Sequence, residues 1–543
     1  MSDLEIPLGK RRRFYRIFEM LPALLSYLVI LMPVLLSLID PLLGAVFVIV
    51  YIIAWFVKAI AMAGRSIQGY GVLEKAQRVD WAGRLADLEN PRGALDDWAG
   101  SARAKSWKSS IHRHNLGRLA AQKGSKKPSE LYNAIIIATY NESREILEPT
   151  LEAVLNSSYD MKRVILTIAY EERGGLEVEN TVQALQSKYK DRFADFYTIK
   201  HPDGLADEVV GKGANITYAG YELERLLAKK AISPENVIVT TLDADNRPHP
   251  TYLSYMTYEY IVHPNPHQVS FQPLALFLNN IWDVPAPMRV LATNNSFWNI
   301  VISQRPNMLR NFASHSQSLA ALIEMGFWSK RTIVEDGHQF WRSYFHFDGH
   351  YSVVPIYVPI YQDAVMTEKY TRTLKAQFVQ LRRWAYGASD IPYVAERVLT
   401  TKRTVPLWDG MLKFIRLLDS HVGWASAPFV LLFGAFAPLF LSSEASRSIV
   451  AHQLPSIASS IQQVAMLGLL IIIIISFRML PARPDRYKWG RNVWMLLQWV
   501  MAPLLGIVYG GSAALYSQTR LLFGKYLDKF DVTEKAVVDH HQK

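Results

Sequence analysis

The chain has 543 residues, half of them hydrophobic, with 59 Lys and Arg against 48 Asp and Glu and no cysteine. It is too long for one ordinary domain and too apolar for a purely soluble protein, and without cysteine it has no disulfide, thiolate metal site or cysteine nucleophile. A formal net charge of +11 suits a membrane surface, an anionic substrate or nucleic acid.

In chain order, the apolar runs 20–38 and 42–62 are each long enough to cross a bilayer. Lys10, Arg11, Arg12 and Arg13 precede the first and Arg65 follows the second, so the positive-inside rule predicts both flanks in the cytoplasm and an N-terminal membrane region over 1–64. A secretory signal peptide is not expected, because no small-residue cleavage site follows and a second span comes at once. Residues 65–130 mix Arg, Asp and Lys and read as a polar helical collar and linker. Their histidines, His112 and His114, read as solvated, as do His540 and His541.

Residues 131–400 contain no span-length apolar run and are expected to form a cytoplasmic α/β domain. NAIIIATY, RVILTIAY, RFADFYTI and VIVTTLDAD read as strands, and REILEPTLEAVLNS, GLEVENTVQALQSKYK and GANITYAGYELERLLAKK as the helices between them. This alternation predicts a mainly parallel sheet covered on both faces, with ligands bound beyond the carboxyl ends of the strands. There lie TYNE (139–142), YEERGG (170–175) and DADN (243–246).

The stretch 407–424, with Lys413 and Arg416 among apolar residues at helical spacing, reads as an interfacial amphipathic helix feeding the next span, and the interfacial region is set at 401–423. A buried helix of the soluble domain is the plainer alternative. Apolar blocks at 424–441, 461–480 and 493–516 make 424–520 a C-terminal membrane region, followed by a tail over 521–543. Three spans would leave that tail outside, whereas Arg520, Lys525 and Lys529 argue that it is inside. A re-entrant pair split at Pro503 would reconcile the two, and the parity stays open.

Side chains two apart on a strand point to one side, so a strand running through Asp245 would aim Asp243 and Asp245 into one pocket. Two close carboxylates repel unless a cation lies between them, and Mg2+ or Mn2+ takes one or two protein carboxylates with phosphate oxygens completing its shell. Turn chemistry before proline is the bland alternative. Glu335 and Asp336 open a helical stretch, where Asp336 with Gln339 also fits a capping box. Gln380, Arg383 and Trp384 share one helix face. Arg grips diphosphate through paired hydrogen bonds, Trp offers a flat apolar surface to a sugar ring or a base, and the alternative is a basic helix that only snorkels.

In order and spacing, Asp243-Ala-Asp245, Glu335-Asp336 and Gln380-Leu-Arg-Arg383-Trp384 on an α/β domain between spans resemble the membrane-embedded processive family 2 glycosyltransferases. Bacterial cellulose and hyaluronan synthases belong to that group. The resemblance covers residues 130–390 and the flanking spans. It implies a GT-A domain between transmembrane helices, a nucleotide-diphospho-sugar donor and a Mg2+ or Mn2+ cofactor. It places Thr139, Tyr140 and Glu142 at the nucleotide end of the first strand, Glu171 or Glu172 at the base, and Lys212 facing the nucleotide. Asp243 would contact the nucleotide-sugar and, with Asp245, the metal. Asp336 would be the catalytic base, with Glu335 beside it, and Gln380, Arg383 and Trp384 would hold the diphosphate and the acceptor's terminal sugar. Val334 replaces the family's usual threonine, and NFASHSQSL (311–319), where the acceptor-side helix is sought, has no match in the family.

The function so implied is an inverting, processive, polymer-exporting transferase in the inner membrane, with its catalytic domain in the cytoplasm and a glycan or lipid-linked acceptor. A single transfer onto a lipid carrier is the runner-up, and a non-catalytic membrane scaffold of the same fold a third reading. GKGANIT lacks the spacing of a phosphate-loop ATPase. No base-reading or repeat motif appears, so no nucleic-acid partner is expected and the positive charge is assigned to the bilayer and an anionic donor.

Overall fold

The computed structural model describes residues 5–122, 124–400, 403–441 and 449–527. Residues 401 and 402 and most of the expected tail, with Lys529, His540 and His541, lie outside the described residues. One eight-stranded sheet organises the centre of the chain. Its strands are β1 (Tyr132–Thr139), β2 (Val164–Glu171), β3 (Asp195–His201), β4 (Val237–Asp243), β5 (Arg247–Pro248), β6 (Val269–Leu276), β7 (Ser316–Ser318) and β8 (Ser352–Tyr361), in the order β3-β2-β1-β4-β7-β6-β8-β5.

The first four strands are parallel, with Ile135 opposite Leu166 on one side and Thr240 on the other. Isoleucines at three successive positions suit a strand covered on both faces, because alternate side chains go to opposite sides. Ile135 and Ile137 join Leu147, Leu151, Val178 and Val182 of the helices Arg144–Leu155 and Gly175–Tyr189. Ile136 packs with Ile216, Ala219 and Leu223 of the helix Lys212–Lys229.

Beyond β4 the sheet is mixed. β7 runs antiparallel to both β4 and β6, and β8 runs parallel to β6. Two reversals restore the direction, so β6 and β8 end at the same edge as β1, β2 and β4. The stretch 311–319 is therefore not a helix: it supplies β7 and the first residue of the short helix Leu319–Glu324. The side chains of β7 are polar yet buried: Ser316 pairs with Thr240 of β4 (2.6 Å) and with Tyr252 (2.8 Å), and Gln317 donates to Tyr351 (2.9 Å).

His315, entering β7, is buried between the carbonyl of Phe312 (2.9 Å from Nδ1) and the indole N–H of Trp328, which donates to Nε2 at 3.1 Å. Only a neutral ring can serve both. Burial, aided by nearby Lys212, brings its pKa down from 6.5 to about 4. A depressed folded pKa gives stability that is present above pH 6.5 and lost as pH falls toward 4, on the order of 2 kcal/mol by pH 5. Denaturant unfolding at pH 7 and pH 5 should show this loss in the parent and a smaller one in His315→Gln.

Among the described residues five helices are long and apolar enough to cross a membrane: Arg13–Ile39, Pro41–Gln77, Leu407–Leu439, Gln453–Met479 and Gly490–Leu522. The second runs past the expected boundary at residue 64 into the α/β domain, where a side chain on Gly69 would meet Ile300 (2.5 Å). The segment 65–130 contributes several side chains to the domain core. Trp81 stacks on Tyr255 with ring centroids 3.5 Å apart, and Leu85, Leu116 and Leu119 join the same cluster. His112 is fully buried, not solvated, with Nδ1 3.0 Å from Tyr258 Oη and Nε2 3.0 Å from Asp87. It shares a helix face with Leu116 and Leu119, and that face is turned inward. His114 is exposed.

Residues 407–433 form a single helix, so the expected interfacial helix and the span after it are continuous. Helical structure runs across Pro503 through a short 3-10 segment and a π-helical turn. Both ends of this last apolar stretch rest on the α/β domain. Arg491 donates to the carbonyl of Trp282 (2.8 Å), and Ser517 donates to that of Arg382 (2.6 Å). Its final turn also meets the start of the first helix. Arg16 donates to the carbonyls of Leu521 and Leu522 (both 2.9 Å), two of the acceptors that a helix end leaves unsatisfied. Buried Glu19 accepts from Arg11 and Arg16 (both 2.5 Å) and from Tyr526 (3.0 Å), and Ser26 donates to Gln518 (2.7 Å).

Candidate active site

β4 ends at Asp243, so strand alternation does not carry Asp245. A turn does. The Asp243 N–H donates to Asn246 Oδ1 (2.9 Å), the Asn246 N–H donates to the Asp243 carbonyl (3.1 Å), and Ser314 donates to Asn246 Oδ1 (2.5 Å). Asp243 remains half-buried and accepts from Lys212 Nζ at 2.5 Å. Asp245 is buried, and its Oδ2 accepts from the Asp363 N–H at 3.0 Å. Both carboxylates line one cavity of about 170 Å³ at the carboxyl edge of the sheet.

Thr139, Tyr140 and Glu142 reach this cavity from the end of β1. Glu142 holds the loop, accepting from Thr139 Oγ1 (2.7 Å) and from the Tyr140 N–H (2.8 Å). The two candidate base contacts separate. Glu171 lines the cavity, gripped by Arg173 (2.5 and 3.0 Å), whose guanidinium lies 3.9 Å from the centre of the Tyr140 ring. Glu172 does not line the cavity; it borders a small neighbouring hollow with His201 and Glu208, which Glu171 also lines, and it accepts from the Asp203 N–H at 3.1 Å.

The helices Lys212–Lys229 and Glu335–His346 meet at their first turns. A Cβ on Gly213 would lie 2.6 Å from the Ser329 carbonyl and 3.0 Å from Glu335 Cβ, so only glycine permits this approach. It brings Lys212 Nζ within 3.8 Å of the buried Glu335. Asp336 beside it does not form a capping box: Val334 occupies the cap position, Gln339 turns away to Gln317 (3.1 Å), and Asp336 Oδ1 accepts from the Gly337 N–H (2.7 Å). The partial positive charge of a helix N-terminus favours two acids there.

Burial pushes Glu335 up to about 8, with Asp336 adding to the shift and Lys212 opposing it. Burial also raises Asp336, against the pull of Lys212, the Gly337 N–H and Arg383. Burial alone would lower the pKa of Lys212, but Asp243, Glu335 and Asp336 outweigh it and hold the ammonium well above its usual range.

The helix Tyr370–Ala385 closes the cavity with Gln380, Arg383 and Trp384. Neighbouring helix positions diverge by about 100°, yet Arg383 and Trp384 both reach the cavity. Trp384 also packs on Phe277, with ring centroids 5.9 Å apart. All the candidate residues except Glu172 thus share one cavity. Sequence reasoning missed Asp363, Phe277 and Asn215, which line it too. Asp363 follows β8 as Asp243 closes β4, at the same edge of the sheet, so the strand-end rule was its available signal. Asn215 donates to the carbonyl of Ala169 (2.9 Å), tying its helix to β2.

Among the described residues no three His, Cys, Asp or Glu side chains are arranged as a ready metal cage. The donors present are hard carboxylate oxygens from Asp243 and Asp245 beside an open cavity. That set fits Mg2+ or Mn2+, whose remaining positions are filled by phosphate and water.

No protein-family model matches the sequence, and no curated protein matches it. Among solved structures the chain is similar to mannosyltransferase PcManGT from Pyrobaculum calidifontis in complex with GDP-Man and Mn2+, at 14% identity and a TM-score of 0.43 over 81% of this chain and 100% of that one. It is also similar to S. aureus TarS 1-349 in complex with UDP, at 11% identity and a TM-score of 0.34 over 74% and 94% of the two chains. At these scores the likeness is loose.

Proposed function

We propose that this chain is a membrane-embedded, inverting GT-A glycosyltransferase of the processive family 2 type, which adds sugars from a nucleotide-diphospho-sugar to a growing polysaccharide and exports it. The observation that supports this best is the convergence of Asp243, Asp245, Lys212, Asp336 and Arg383 in one cavity beside span-length helices. In this reading the α/β domain faces the cytoplasm and the helices lie in the inner membrane.

The donor diphosphate lies between Lys212 and Arg383, with Tyr140 and Glu171 toward the base. A divalent cation held by Asp243 and Asp245 would offset charge on the diphosphate. Asp336 takes the proton of the acceptor hydroxyl, and its raised pKa makes it a stronger base than an ordinary aspartate. The acceptor oxygen attacks C1 from the face opposite the diphosphate. The C1–O bond breaks, its electron pair leaves with the diphosphate, and the anomeric centre inverts. Arg383 and Lys212 stabilise the charge that develops there.

Trp384 is assigned to the acceptor's terminal sugar, which must stay bound between additions. Trp384→Ala is expected to lose polymer but retain donor hydrolysis, because the leaving-group residues are untouched. Arg383→Ala is expected to lose both, by roughly 10²-fold or more. Diphosphate release and product length, measured side by side, check this. Unchanged product length in Trp384→Ala, or a single-sugar product from the parent, would replace the synthase reading with one-step transfer to a lipid carrier.

A further inference from the structure

On the membrane side, an apolar groove of about 540 Å³ runs between the helices Pro41–Gln77, Leu407–Leu439, Gln453–Met479 and Gly490–Leu522. Trp55 and Trp424 line it together with Leu431 and Met466. At its domain-facing end the first two of these helices touch, where a Cβ on Gly423 would lie 3.3 Å from the Trp55 ring. Lys58 and Asp419 bridge the same two helices at 3.4 Å, both exposed.

Seven residues along a helix return to nearly the same face, about 10 Å further on. Arg65 stands seven beyond Lys58 and Arg416 seven before Gly423, so both lie above the groove toward the α/β domain. Arg305 joins them from the end of the helix Ala286–Ser303, which packs on the second helix through Ile300 and Gly69. All three arginines are half-buried. Burial, and the repulsion of Arg65 and Arg416, lowers the pKa of Arg305. Among the described residues no salt bridge engages any of the three. The carboxylate that Arg416 influences, Asp409, is already held by Lys413 (2.5 Å) and Tyr344 (2.6 Å). Half-buried guanidiniums from three separate elements repel one another unless an anion lies among them.

We propose that this groove and the arginines above it form a binding site for an anionic phospholipid, one acyl chain lying in the groove and the phosphate among Arg65, Arg305 and Arg416. Scattered basic residues at a membrane boundary attract anionic lipid only collectively, at about one factor of five per charge. Here three charges converge at one end of a concavity suited to an alkyl chain. The assignment depends on the apolar helices lying in a bilayer and not on the sugar-transfer reading.

The test uses the full chain in phosphatidylcholine nanodiscs with a titrated fraction of brominated-chain lipid, which quenches tryptophans that it touches. Comparison with Trp55→Phe and Trp424→Phe isolates the groove signal. Brominated phosphatidylglycerol should saturate that signal at a mole fraction at least about tenfold lower than brominated phosphatidylcholine. Arg305→Gln should shrink the preference about fivefold, and replacing all three arginines by Gln should remove it. Retained quenching by phosphatidylcholine shows that the groove survives in the variants. Equal quenching by the two headgroups in the parent, an unchanged preference in the triple variant, or a stronger preference for a brominated polyprenyl phosphate would each overturn the proposal.

Discussion

Asp336→Asn is expected to keep donor affinity and lose turnover by roughly 10³-fold, within the range that general-base catalysis supplies. The substitution is nearly isosteric, and an amide oxygen can still accept from the Gly337 N–H at 2.7 Å. The helix start should be undisturbed, because Val334 holds the cap position. If Asp336 served only as a capping group, Asn would do nearly as well and turnover would stay near the parental value. Donor titration by calorimetry together with steady-state rates separates the two outcomes. The pH profile gives a second check. A base must be deprotonated, so the rate should fall as pH drops through the pKa of Asp336, which lies above the ordinary aspartate value of 3.8.

Asp245→Ala is expected to abolish transfer and weaken the divalent-dependent binding of nucleoside diphosphate. Asp245 is buried and accepts from the Asp363 N–H at 3.0 Å, so alanine also strands a buried donor at a cost of about 1–3 kcal/mol. Asp245→Asn is therefore the cleaner variant, since it keeps an acceptor and removes the charge. Both variants should lose activity, whereas only the alanine variant should lose measurable stability. Asp243→Asn should be severely impaired as well, because Lys212 loses a carboxylate partner at 2.5 Å. Full activity in Asp245→Asn, or metal-independent diphosphate binding in the parent, would falsify the assignment.

The half of the sheet around β1 was legible because β1, β2 and β4 are largely apolar runs separated by helices. The other half was not, for reasons that lie in particular residues. β8 reads SVVPIYVPIY, and two prolines argue against a central strand, yet it pairs along β6 with a register shift at Pro273 and Leu274. β7 carries no apolar residue, since its buried serines and glutamine are satisfied by partners more than 20 residues away. That same opacity hid Asp363, which is recognisable only once β8 is known to be a strand. The pairing of Asp243 with Asp245 was legible as a motif but for a different physical reason, a turn held by Asn246 in place of an extended strand. His112 was misread because burial on a short polar helix is set by what packs against it.

The contact between the two ends of the described chain sets an order of assembly. Glu19 and Ser26 belong to the first helix, and the partners that bury them, Tyr526 and Gln518, come about five hundred residues later. At about 5–20 residues per second a ribosome needs roughly 25–100 s to bridge that interval. Throughout it, if the first helix lies in a bilayer as proposed, it does so with a serine that lacks its partner and a glutamate served only by Arg11 and Arg16. Arrival of the helix Gly490–Leu522 closes this polar seam and gives Arg16 the two carbonyls it caps. A polypeptide released before that helix is made keeps the seam open to lipid, where unsatisfied polar groups are costly. Such a seam distinguishes an interrupted chain from a finished one.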